Sequence, residues 1–206
     1  MNIFFLDRDP ELCAKYHNDK HVVKMVVEYA QLLSTAHRVW DGKPYWDKTA
    51  NGRRIKRWKM FQGYHEHNLY KASHVNHPSS IWTRASVDHY VWLHKLWLHL
   101  AKEYEYRYKR EHLTYQKLKD IVIKYPRNIK ANGWVDPPPA MPVEAKVMGD
   151  AIASYHNYYR NYKSSFNNFK GRDVPHFLDE TNDTQELPES KSLSTFVPNM
   201  RKTLAA

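Results

Sequence analysis

At 206 residues, 42% hydrophobic and 26% charged, the chain has the size and composition of one globular domain, large enough to bury a core without covalent staples. Lys and Arg outnumber Asp and Glu by 32 to 22; the net charge of +10 points to an anionic partner, nucleic acid foremost. Cys13 is the only cysteine, which excludes an intramolecular disulfide and a cysteine-rich zinc cluster. Seven Trp and fifteen Tyr interleave with the cations, a mixture that suits base stacking beside phosphate contacts as well as an aromatic core.

In chain order, residues 2–6 form a short apolar run that Asp7, Arg8 and Asp9 end at once. The run reads as a strand or extended segment pinned into the fold, not as a signal peptide. No later stretch reaches the ~18 apolar residues of a membrane span, so a reducing cytoplasm is the expected location. Pro10 opens a short helix to about Tyr16, and Asp19 is placed to cap the next one. Residues 19–37 carry two stripes at helical spacing. Val22, Met25, Val26, Tyr29, Leu33 and Ala36 form the apolar one; His21, Lys24, Glu28, Gln31 and Thr35 form the polar one. Such a polar stripe is either a solvated face with a Lys24–Glu28 pair or a set of groups for acid–base work on a polar substrate.

Residues 41–58 are turn-rich and read as a loop, with five cations among residues 53–59. Arg53 and Arg54 lead that run as candidate phosphate ligands. Asn76-His77-Pro78 introduces a second major helix, from Ser79 to about Arg110, long enough for a kink or break. Its apolar face comprises Trp82, Tyr90, Leu93, Leu96, Trp97, Leu100 and Tyr104. A third helix spans Tyr115 to Tyr125 and stops at Pro126. Residues 126–142 form an extended crossing in which Trp134 is either a core anchor or a stacking residue. A Tyr-rich helix from about Asp150 to Phe169 reads as packing. The expected organisation is a compact, mainly α single domain over residues 1–175, followed by a polar tail, 176–206. No repeat, Gly-rich phosphate loop or serine nucleophile elbow is present. The imidazoles of His65, His67, His74 and His77 lack an accompanying carboxylate motif, and neither metal nor cofactor is expected.

The pattern Lys20-His21-x-x-Lys24-x-x-x-Glu28-x-x-Gln31, followed by Asn76-His77-Pro78-x-x-x-Trp82, resembles the endonuclease V-like pyrimidine-dimer DNA glycosylases of phages and bacteria. Across residues 1 to 175 the chain is also similar to a group of phage proteins of unassigned activity. With them it shares the opening Asn-Ile-Phe, the Pro-Pro-x-x-Met-Pro segment that includes Pro138 and ends at Pro142, and the Tyr-Tyr-rich last helix. The resemblance implies a small, basic, helical monomer that acts on DNA in the host cytoplasm. An N-terminal amine would attack the deoxyribose, and a glutamate on the first long helix, Glu28 here, would be essential.

Asn2 is too large for efficient removal of the preceding methionine, so the amine would belong to Met1. At pH 7 an ordinary α-amine is about a tenth free base, against a few parts in ten thousand for an ordinary lysine; Lys24 is the substitute nucleophile. His21 completes the catalytic set. Lys20, Gln31, Arg53, Arg54, Asn76, His77, Trp82 and Arg84 are the expected DNA contacts. Two alternatives stay open: a transferase acting on a hypermodified pyrimidine, and a non-catalytic DNA-binding protein on the same scaffold.

Overall fold

Residues 1–179 are described in a computed structural model, which is mainly α-helical. After an extended N-terminus come α1 (Pro10–Lys15) and the long α2 (Asp19–Asp41). A hairpin of β1 (Lys43–Lys48) and β2 (Arg54–Lys59) follows, then the short α3 (Gly63–Asn68). Next are α4 (Pro78–Ala85), α5 (Val87–Tyr108) and α6 (Leu113–Val122). An extended crossing leads to α7 (Ala151–Lys163) and the single turn α8 (His176–Asp179). Among the described residues no helix is long and apolar enough to cross a membrane.

The central element is α2, which packs against α4, α5 and α6. Its expected apolar stripe is buried throughout, and from Tyr29 to Arg38 only Gln31 is not fully buried. The cap differs from expectation: Asn18 accepts the His21 N–H at 2.9 Å, while Asp19 lies inside the first turn and binds Arg107 at 3.0 Å. Trp97 of α5 donates its indole N–H to the Val26 carbonyl at 2.8 Å, which fixes the register of the two long helices. The anticipated break in the second helix falls at Ser86, whose backbone is extended (φ −149°). Its Oγ accepts the N–H groups of Asp88 and Asn132, while Val87 N–H donates to the Lys130 carbonyl. The crossing segment thus satisfies backbone groups that a continuous helix would have paired internally.

Two buried arginines staple the layers. Arg107 (2% exposed) donates to the carbonyls of His17 and Lys15 and to the carboxylates of Asp19 and Glu103. Arg38 donates to the carbonyls of Tyr70, Trp58, Glu66 and Leu69 and to the Glu66 carboxylate. It thereby clamps both the hairpin and the segment after α3 onto α2.

The segment expected as a loop is an antiparallel hairpin with Lys48 opposite Arg54 and Pro44 opposite Trp58. Gly52, at φ 78°, supplies the left-handed residue of its turn, and Thr49 pairs back to Arg53. At its base, Gly42 lies so close to the Arg38 carbonyl that a Cβ would sit 2.5 Å from that oxygen. Only glycine permits that approach. The expected tail also begins inside the fold: Phe177 is 2% exposed and stacks on His156 with 3.7 Å between ring centres. The rest of it lies outside the described residues.

Candidate active site

The N-terminus is held by side chains rather than by strand pairing. Asn2 donates its amide to the Ala140 carbonyl at 2.9 Å and accepts the Tyr155 hydroxyl at 2.6 Å. Phe4 N–H donates to the Tyr29 hydroxyl, Leu6 N–H to the Cys13 sulfur, and the Cys13 thiol to the Phe4 carbonyl. Burial pushes that thiol up to about 12, so Cys13 serves as a small hydrogen-bonding core residue. His17 completes the lattice. Its Nδ1 lies 2.8 Å from the Cys13 carbonyl and must donate there, so Nε2 accepts the Tyr29 hydroxyl, also at 2.8 Å.

So anchored, Met1 presents its amine 3.6 Å from Oε2 of Glu28, while Lys24 Nζ is 3.2 Å from Oε1 of the same carboxylate. The Met1 side chain is 3% exposed and that of Glu28 16%. One carboxylate therefore bridges two amines at the edge of the core. His77, the cap of α4, approaches the same point: its pKa is lowered by burial, then by the charges of the Met1 amine and His74, and is raised by Glu28. The segment before it is tied across α2 by Thr35, which exchanges hydrogen bonds with the backbone of Ser73 at 3.3 and 3.5 Å. The polar stripe thus ends in a strap that carries His74 and His77 toward Glu28.

His21 is a correction. It is 7% exposed, stacks on Phe4 at 4.1 Å and holds the Tyr159 hydroxyl at 2.6 Å through Nδ1. Burial, followed by the charges of His17, Lys163 and Lys24, pushes its pKa down to about 2, so it is a neutral wall of the site rather than a proton carrier. Lys24 is 69% exposed and paired, without the desolvation that makes a lysine nucleophilic. Trp82 is the second correction. It is 4% exposed, donates to the Val135 carbonyl and stacks on His89 at 4.4 Å, so it cannot meet DNA. Trp134 packs edge-on against Trp82, His89 and Trp92 as an anchor of the crossing segment.

The remaining expected contacts are dispersed. Gln31 is half-buried one turn beyond Glu28, and Lys20 is exposed with its ammonium 4.4 Å above the Phe166 ring. Arg84, half-buried, donates to Ser80 Oγ at 3.1 Å, and no contact among the described residues joins it to Glu28. Arg53 and Arg54 lie on the hairpin. Asn76 is exposed on the wall of an open groove of about 660 Å³ between β2 and residues 72–76. A second cavity, about 510 Å³, opens beside His37 and Asp41. Nine helical residues from Glu28, at about 100° each, place His37 on the opposite face of α2, away from the amine site. Among the described residues no group of three or more His, Cys, Asp or Glu is arranged to hold a metal.

Three buried histidines give a stability prediction. Burial holds His17 and His37 down to about 4, and His21 lower still. Each folded-state value lies below the ordinary 6.5 of an unfolded histidine. The stability they permit is therefore complete above pH 6.5 and is lost as pH falls, because the unfolded chain takes up protons that the fold refuses. Each site should contribute about 1.4 kcal/mol per pH unit between 6.5 and its folded value. The thermal midpoint should drop steeply from pH 6.5 to pH 5, and a flat midpoint over that interval would refute the assignment.

No family model, curated protein or solved structure matches this chain, so the reading of the site rests on its own geometry and on the motif spacing.

Proposed function

We propose that the protein is a DNA-acting enzyme of the glycosylase/lyase type, working on a pyrimidine nucleotide with the Met1 amine as nucleophile and Glu28 as its carboxylate partner. The observation that carries this reading is the Glu28 bridge, 3.6 Å from the Met1 amine and 3.2 Å from Lys24 Nζ. In the reaction the free amine attacks C1′ of the deoxyribose, and the base leaves with the bonding electron pair and is protonated. Glu28 takes the proton released by the attacking nitrogen. Opening of the sugar ring, with a proton to its oxygen, then yields an imine between Met1 and the sugar. Lys24, paired with Glu28, adds positive charge for a flanking phosphate. The net charge of +10 supports a polyanionic substrate.

Borohydride trapping tests the proposal. With DNA carrying a pyrimidine dimer or a modified pyrimidine, reduction of the imine should yield a covalent protein–DNA product. One residue added ahead of Met1 should abolish the product, and Lys24→Ala should retain it. The reverse pattern would transfer the nucleophile to Lys24. Binding without trapping on any such DNA would favour a non-catalytic DNA-binding protein.

A further inference from the structure

We propose that the β1–β2 hairpin is an arm that binds an unpaired stretch of polynucleotide, with phosphates along the free edge of β2 and a base on Trp46. The arm has little structural reason for its composition. It is a two-stranded sheet whose side chains are mostly exposed, and it is tied down mainly near its base, where Arg38 donates to the Trp58 carbonyl and Arg57 to the Ala72 carbonyl. Such a hairpin gains little stability from its own strand pairing. Yet residues 43–59 carry seven cations and one acid, Asp47, and among the described residues no ion pair joins those cations to a carboxylate. Trp46 is 60% exposed, with the Arg54 guanidinium 4.0 Å from its ring centre. A cation laid against an open indole suits a base stacked beside a phosphate.

The geometry also gives the strand a direction. The groove of about 660 Å³ follows the free edge of β2, and its size is within the range of about 300–1,000 Å³ usual for small-ligand sites. Lys56 and Arg57 line it from the arm, and His74 and Asn76 from the facing strap. Arg57 Nε–H inside this wall has no hydrogen-bond partner. The strap continues directly into His77, which feels the charges of both Met1 and Glu28. A strand in the groove is therefore led toward the amine. A duplex keeps its bases stacked on one another and offers Trp46 nothing to cover, whereas an unpaired base does.

That the strand ends at the amine rests on the function proposed above; binding to the arm does not. Fluorescence anisotropy of the intact protein with labelled oligothymidylate, a duplex of equal length and a polyglutamate competitor tests it. Oligothymidylate should bind more tightly than the duplex, and Trp46→Ala should weaken it about tenfold, with Trp46→Phe restoring much of the loss. Arg53→Ala with Lys56→Ala should lower the log–log salt slope by about 0.7 for each phosphate contact removed. An unchanged affinity in Trp46→Ala, an equal affinity for duplex, or displacement by polyglutamate as effective as by oligothymidylate would overturn the proposal. Unaltered thermal midpoints in the variants keep the comparison about binding. Lost trapping with the Trp46 effect intact removes the chemistry and leaves the arm; trapping with indifferent Trp46→Ala binding does the opposite.

Discussion

Glu28→Gln is expected to cut turnover of a pyrimidine-containing DNA substrate by at least ~100-fold while leaving folding and DNA affinity in place. Glutamine keeps the size and hydrogen-bonding reach of the side chain but cannot accept the proton that the attacking nitrogen must lose. The carboxylate is 16% exposed and held between two amines, so the exchange also removes the negative charge from a cationic corner. DNA affinity should therefore not fall in the variant. Single-turnover assays read the chemistry, and salt-dependent binding reads the affinity. Full activity in the variant would remove Glu28 from the mechanism, whatever the fate of the amine.

Arg107→Met should destabilise the fold by about 3–5 kcal/mol, because it removes the buried guanidinium that pairs with both Glu103 and Asp19. Glu103 is 5% exposed and would keep only Arg172, whose own side chain is partly solvated. The carbonyls of Lys15 and His17 would also lose their donor at the corner where α1 meets α2. For a chain of this size the thermal midpoint should fall by on the order of 10 °C. The site should suffer with it, since α1 bears Cys13, which holds the N-terminal segment through Phe4 and Leu6. The double variant Arg107→Met with Glu103→Leu should recover part of the loss by removing the buried carboxylate that lost a partner. A midpoint within 2 °C of the parent, about 1 kcal/mol or less, would refute the role given to Arg107.

By itself the sequence determined the longer helices, though not the short α3 and α8 or the end of α7 at Lys163, and the part of the site that lies on one of them. The three- and four-residue spacing that buries Val22, Met25, Val26 and Tyr29 also sets Lys24 and Glu28 one turn apart, since both follow from local helical geometry. Proline placement located the starts of α1 and α4 in the same way. The hairpin was half legible: Asn51-Gly52 marks its turn, but strands made of cations lack the apolar alternation that announces a sheet.

What only the tertiary structure decided are the contacts between residues far apart in the chain. The Met1 amine reaches Glu28 because Asn2 is gripped by Ala140 and Tyr155, 138 and 153 positions away. His21 leaves the acid–base set because Phe4 and Tyr159 enclose it, although its spacing from Glu28 is that of a neighbour on the same stripe. Trp82 turns inward because the Val135 carbonyl and the His89 ring await it there. Periodicity assigns a residue to a face of its helix. Which faces become walls, cores or open surface depends on what the rest of the chain lays against them, and that is a property of packing.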